Sequence, residues 1–419
     1  MESETTRVES YRAISKDCRY MLIKSEIVYP EINPYSPGSG LRPPELAGRQ
    51  AEIDAFDLTI ARTLKSAPSR SMVLHGLRGV GKTVLLNRFR EMATRAGWFT
   101  VELEGAPTDG GRAASRQRLA RGLLVAARRL NRLGAAGDAV KAALGSIASF
   151  GLSVGGASIS IGVNPTAGRA DSGEIDVDLL ELVEDLAPAL RSQNIAFGLF
   201  VDEMQDLDDE LLTALLGAQH RSGQEGFPFF VVGAGLPSLP ALLSTARSYA
   251  ERLFDYRSIG SLDEGMAREA LVTPATRLGM TYSPGAAQAI LDASEGYPYF
   301  IQTFGARTWD LAQGKVISHD EALAGLDVGR AALDAGFYPA RWDRATPAER
   351  RYLRAMAELG GDSVSTSAVA TRLGVTLNRL SASRQSLIEK GVVFAPERGL
   401  LAFTVPGMGA FLLRQSRDD

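Results

Sequence analysis

Residues 71–86 read SMVLHGLRGVGKTVLL. SMVLHG is a short apolar strand, and KTVLLNRFREMATRAG (82–97) has helical spacing with Gly97 as its stop. Where the two meet, residues 76–82 hold three glycines and a lysine. Gly76, Gly81, Lys82 and Thr83 fit the pattern G-x-x-x-x-G-K-[ST], with Gly79 inside it. Successive backbone N–H groups can surround a polyanion only where the chain turns closely, which needs residues without Cβ. The following helix offers its positive end to the same anion. Lys82 can reach the outer phosphates of a triphosphate, and the Thr83 hydroxyl can ligate Mg²⁺. The alternative is an ordinary glycine turn. The strand before and the helix after favour a nucleotide, held by Gly76, Gly79, Val80, Gly81, Lys82, Thr83 and Val84.

A second signal supports the first. GLFVDEMQDL (198–207) puts Asp202 and Glu203 at the end of an apolar strand. In a parallel sheet that is the carboxyl edge, where ligands sit. Asp202 would hold the Mg²⁺ shell, and Glu203 would polarise the attacking water as general base. Two surface acids ending a strand are the bland reading, which the loop at 76–83 makes the weaker one. No N-K-x-D tetrapeptide for reading guanine is present, which favours ATP over GTP.

Around these motifs strands alternate with helices, and such alternation predicts a parallel sheet covered on both faces. WFTVELEG, IAFGLFVDE, FPFFVVGAG and YRSIGSL read as further strands. SRQRLARGLLVAARRLNRL (115–133) reads as a basic amphipathic helix with Leu119, Leu123, Leu130 and Leu133 on one face. FGLSVGGASISIGV (150–163) alternates like a small hairpin. After Leu262 the strand signal stops, and three helices follow: DEGMAREALVTPATRLG, SPGAAQAILDASEG and YFIQTFGARTWDLAQ. Residues 1–45 read as an extension ending in a proline- and glycine-rich connector. The expected divisions are 1–45, a nucleotide domain at 46–262, a helical domain at 263–340 and a last module at 341–419.

Composition narrows the class. The chain has 419 residues, 45% hydrophobic and 23% charged, with a formal net charge of −3, so nucleic-acid contact has to be local. One cysteine, Cys18, excludes an intrachain disulfide and points to a reducing cytoplasmic setting. The polar, acidic N-terminus shows no signal peptide. The most apolar window is broken by Pro228, Pro237 and Pro240, so no membrane span is expected.

From Thr346 the pattern changes to three short helices and then GVVFAPERGLLAFTVP, a two-stranded ribbon turning at Glu397 to Gly399. STSAVATRLGVTLNRLSASRQSLIEKG reads as helix, tight turn at Gly374, helix, with Gly391 as the stop. The second helix is the candidate reader of a DNA major groove, exposing Asn378, Arg379, Ser383, Arg384 and Gln385. Arg398, at the ribbon turn, is placed to meet a phosphate. From Arg344 to Gln415 there are ten Lys/Arg against five Asp/Glu, a basic module on an acidic chain. Double-stranded DNA is one reading of this module. An intramolecular or protein-binding clamp is the other.

ELAGRQAEIDAF (45–56), GLRGVGKT (76–83), LFVDEMQDL (199–207) and GYPYFIQ (296–302) together resemble ATPases of the AAA+/STAND border, the initiator-type and archaeal-ATPase-like proteins with a C-terminal winged helix. The resemblance covers roughly residues 45 to 415. It implies an α/β fold: a P-loop NTPase parallel sheet of ASCE/AAA+ type with a helical lid domain and a C-terminal winged-helix domain. It implies that Gly48 and Arg49 line the adenine side, that Pro298 of GYP meets the nucleotide from the lid, and that Arg252 of YAERLFDY is a trans-acting arginine finger. Arg247 and Arg257 are its rivals, and a surface salt bridge is the alternative for Arg252. A trans-acting arginine implies a homo-oligomer or a partner protein.

Two departures matter. Strand four ends in Gly233-Ala234-Gly235 where relatives keep a polar residue near the γ-phosphate, with Ser238 the nearest hydroxyl. Tyr299 stands where relatives place a lid arginine. Both remove charge stabilisation from the transition state. The expected protein is therefore a slow, Mg²⁺-dependent ATPase switch contacting DNA, or else a signalling or scaffold regulator. A small-molecule kinase is disfavoured by Glu203 and the last module.

Overall fold

The computed structural model describes residues 30–38, 40–106, 111–132, 138–154 and 164–415. The chain divides into two compact units, one of Arg49–Gly260 with Ala340–Asp419 and one of Met1–Gly48 with Ser261–Pro339.

In the first unit, β1 (Ser71–His75), β2 (Phe99–Glu104), β3 (Phe197–Asp202), β4 (Phe229–Gly235) and β5 (Phe254–Ser258) form one parallel sheet in the order β2-β3-β4-β1-β5. The inner strands β3 and β4 are apolar almost without interruption and buried along their length. Strands covered by helices on both faces need that composition. β2, at one edge, instead alternates buried and exposed residues. β5 edges the other side and begins two residues before the YRSIGSL stretch that marks it in the sequence. Aromatic contacts join the layers: Phe56 of helix Gln50–Thr63 stacks on Phe89 of helix Lys82–Arg95 at 4.5 Å and meets Phe200 of β3 edge-on at 6.2 Å, and Trp98, just before β2, stacks on Phe230 of β4 at 5.0 Å.

The expected hairpin at 150–163 is corrected at its start. Residues Phe150 to Ser153 end the helix Asp138–Ser153, where Phe150 is fully buried, and 155–163 lie outside the described residues. The helix Gly111–Arg132 buries Leu119, Leu123 and Leu130, while Leu133 is outside the described residues. Its Arg116 is committed to Asp208 at 2.8 Å and Glu210 at 2.5 Å.

The C-terminal part of this unit runs helix Pro347–Leu359, β8 (Val364–Ser365), helix Thr366–Leu373, helix Leu377–Glu389, β9 (Val393–Phe394), β10 (Leu400–Phe403) and helix Met408–Arg414. The expected two-stranded ribbon is part of a three-stranded antiparallel sheet, β8-β10-β9, and the last helix is additional. Gly374 (φ +65°) closes the helix-to-helix turn in a left-handed conformation that costs a glycine little. Tyr352, Leu353, Val369, Leu387 and Leu412 are buried in this part.

The second unit holds helices Glu264–Arg277, Pro284–Ser294, Pro298–Leu311 and His319–Ala332, with a π-helical turn at Leu333–Phe337. The helix His319–Ala332 goes beyond the three expected, and so does a short parallel pair, β6 (Thr281–Tyr282) with β7 (Val316–Ile317). The connector belongs with these helices. Tyr35 is 4% exposed, and its hydroxyl bonds the Leu271 carbonyl and the Tyr282 hydroxyl. Its ring fills the space left by Gly305, where a Cβ would come within 2.9 Å of it.

Candidate active site

The sheet order sets the site. β4 lies between β1 and β3, so the loop leaving β1 and the acids ending β3 flank the carboxyl end of β4. The loop is fixed at both ends. The Gly76 N–H donates to the Gly235 carbonyl at 3.2 Å, and a Cβ at Gly76 would collide with the Ile259 carbonyl oxygen at 2.0 Å. Gly79 and Gly81 stand at φ +83° and +94°, the left-handed region that the tight wrap requires. Gly81 also caps the helix Lys82–Arg95, and Val80 is buried as the loop's anchor. The Arg49 guanidinium donates to the carbonyls of Val80 (3.0 Å) and Gly260 (2.6 Å), tying the loop to the segment after β5.

Lys82 is buried, 7% exposed, and its amine donates to the Leu77 carbonyl at 2.7 Å. Burial lowers its pKa to about 8, against the opposing pull of Glu203 and Asp202 and together with Arg78. A desolvated ammonium inside a ring of main-chain groups is poised for an anion. Burial also raises the Asp202 carboxyl, which bonds the Thr83 hydroxyl and accepts the Glu203 N–H at 3.0 Å. One hydroxyl joined to one carboxylate fits Mg²⁺, which takes one or two protein oxygens and completes its shell with phosphates and water. Among the described residues no cluster of three His, Cys, Asp or Glu offers a protein-only cage.

Glu203 sits at φ +45°, ψ +48°, a left-handed conformation for a residue with a side chain. Such strain persists only where surroundings enforce it. Here Gly105 leaves no room to relax, since a Cβ there would lie 2.2 Å from the Glu203 carbonyl oxygen. The carboxylate is held on both sides: Arg78 Nη1 lies 3.1 Å from Oε1, and Gln205 Nε2 lies 2.6 Å from Oε2. Asp206 completes the cluster. Burial and the Glu203 charge push its pKa up to about 6.

The comparisons with known proteins come to the same place. Residues 45–232 match the family model described as AAA ATPase domain. The chain carries an AAA ATPase domain. Both motifs, at 76–83 and 199–207, fall inside that match, as do β1, β2, β3 and the start of β4 of the parallel sheet. Residues 335–412 match a second model, a domain of unknown function, DUF8462. Among solved structures, a Walker-type ATPase of Pyrococcus abyssi is similar with a TM-score of 0.55 at 15% identity, covering 89% of this chain and 97% of its own. The RuvB Holliday junction branch migration motor of Thermotoga maritima gives a TM-score of 0.44 at 18% identity, covering 90% of this chain and 100% of its own. The Orc1 protein of Aeropyrum pernix, in complex with DNA, gives 0.45 at 17%, covering 93% and 97%. No curated protein matches the sequence.

Arg252 is exposed on the four-residue helix Ala250–Leu253 and has no ion pair among the described residues. Its rival Arg257 is engaged by Asp255 at 2.6 Å, and Arg247 is exposed. Gly48 and Pro298 belong to the second unit. There Gly48 (φ +67°) packs against Leu262 and Met266, and Pro298 opens the helix Pro298–Leu311. Tyr299 stacks on Phe337 at 4.6 Å. In the C-terminal part Asn378, Arg379, Gln385 and Arg398 are exposed. Ser383 and Arg384 are corrected to half-buried. Burial raises the pKa of the Tyr352 phenol, and the nearby Arg384 charge opposes that rise.

Arg78, Gln205 and Asp206 lie within the stretches 76–83 and 199–207, but their spacing matches no rule, and only the fold turns them toward Glu203. No helix among the described residues is long and apolar enough to cross a membrane.

Proposed function

We propose that this ATPase is a slow, Mg²⁺-dependent, nucleotide-controlled switch whose C-terminal part, a winged helix, is coupled to the nucleotide site through Arg78. The supporting observation is one residue with three attachments. Arg78 belongs to the phosphate loop, and its guanidinium pairs with Glu203 at 3.1 Å. Its backbone N–H faces the Thr404 carbonyl at 3.4 Å. Its Nη2 lies against Gly391 (φ +63°), where a Cβ would come within 2.9 Å. Any rearrangement of the loop around phosphate therefore acts on both the catalytic carboxylate and the C-terminal contact.

In this reading Lys82 and the loop amides hold ATP, and Thr83 and Asp202 hold Mg²⁺, which neutralises phosphate charge. Glu203 orients the attacking water and accepts its proton. While Glu203 Oε1 is held by the Arg78 guanidinium it is not free to meet a water, so the Arg78 pair describes a resting state. With Gly235 at the end of β4, that strand adds no polar or charged side chain to stabilise the transition state. Turnover below about 10 s⁻¹, the median for enzymes, follows. Arg252, exposed and without a carboxylate partner among the described residues, is the residue available to a neighbouring subunit.

Duplex DNA remains a second reading of the same winged helix. The exposed Asn378, Arg379, Gln385 and Arg398 support it, as does the local excess of ten basic over five acidic residues. Hydrogen exchange of residues 391–404 with and without Mg-ATP tests the coupling. Protection should change with nucleotide in the wild type and stay constant in Arg78→Ala. Equal responses in both proteins would remove Arg78 from its role.

A further inference from the structure

We propose that Gln205 is a positioning residue for Glu203, filling from the turn after β3 the place that the end of β4 leaves without a polar side chain. This deepens the proposed function and rests on its reading of Glu203 as the base. β4 lies between the phosphate loop's strand and the acids' strand, so its last residues stand closest to both. In this chain they are Gly233, Ala234 and Gly235.

The Gln205 carboxamide occupies that space. Its Oε1 accepts the Leu236 N–H at 3.0 Å, the first amide after β4. That bond settles which way the amide faces, because a backbone N–H can be met only by the oxygen. The nitrogen must then point at the acids, where it donates to Glu203 Oε2 at 2.6 Å and to Asp206 Oδ2 at 3.2 Å. The glycine is required for this. A Cβ at Gly235 would stand 2.4 Å from Gln205 Oε1. The departure at strand four and the glutamine after the acids are thus two halves of one arrangement.

The chemistry suits the role. A neutral amide donor holds one oxygen of the carboxylate without adding a full positive charge, whereas Arg78 sets a full guanidinium charge against the other. If Arg78 is drawn away, Glu203 is still aimed by Gln205. Orienting partners of this kind are worth about 10- to 100-fold in activity.

The test compares full-length variants by kcat and by the Kd of a fluorescent ATP analogue. Gln205→Ala should lower kcat by about 10- to 100-fold and leave the Kd unchanged. Gln205→Glu separates donor from acceptor: it keeps an oxygen for Leu236 but faces Glu203 with a second one, so it should lose at least as much. Gly235→Ala, which pushes the carboxamide away, should match Gln205→Ala. Wild-type kcat in Gln205→Glu would mean that the residue only braces Leu236, and the proposal falls. Wild-type kcat in Gln205→Ala, or parallel loss of kcat, affinity and thermal stability, would overturn it as well. If Glu203→Gln itself kept full turnover, the failure would lie with the base assignment instead.

Discussion

The cluster at the end of β4 and the outer face of the helix Leu377–Glu389 both carry charge, and they treat it in opposite ways. In the first, Lys82 is buried, Asp202, Glu203 and Asp206 are half-buried, and each is tied to a neighbour. In the second, Asn378, Arg379 and Gln385 stand in solvent. Buried charge is costly unless it is paired and placed, so the first region commits to one chemistry. Solvated charge costs little and commits to nothing until a partner arrives.

The largest effect should come from Lys82→Ala. Removing the buried ammonium takes away the charge opposite the phosphates, so affinity for a fluorescent ATP analogue should fall by about 100-fold or more. Unchanged affinity would break the contrast at its stronger end. Next comes acid stability within the C-terminal part. Burial pushes the Glu349 carboxyl up. Hydrogen bonds from Lys390, Ser386 and the Thr346 amide, with the Lys390 charge, outweigh it and hold the pKa at about 2. The folded value is below the ordinary 4.5, so this stabilisation is present above that pH and is lost as pH falls toward 2. A thermal melt series should show a steeper acid loss in the wild type than in Glu349→Gln. Identical slopes would show that the pair contributes nothing.

The smallest effect should be at the solvated face. If it meets duplex DNA, Arg379→Ala and Arg398→Ala should each lower the slope of log affinity against log salt by about one. An unaltered slope, or binding indifferent to salt, would leave the module with the intramolecular role alone.

How much was legible follows the same division. The loop 76–83 was readable because close wrapping around phosphate admits few residues, and the strands β3 and β4 because burial on both faces requires unbroken apolar runs. Fragments with weak local signals were not readable. β8 and β6 are two residues each and exist through their partners. Residues 150–153 alternate in sequence, yet burial of Phe150 carries them into a helix. The helix His319–Ala332 could have been found, for Ser318 and Glu321 form a capping box that the sequence displays. Tyr35 could not, because its hydroxyl's partners are over two hundred residues away. The site shows the same limit. Asp202 and Glu203 were visible as a pair ending a strand, while Arg78 and Gln205 acquire meaning only once the strand order brings the loop and the acids around one glycine.

Hydrolysis and nucleotide affinity measured together in Glu203→Gln test the central claim most directly. The account predicts an ATP affinity close to wild type with turnover reduced by about 10²- to 10⁴-fold, the usual worth of a positioned general base. Turnover at the wild-type rate, with ATP bound, would contradict it.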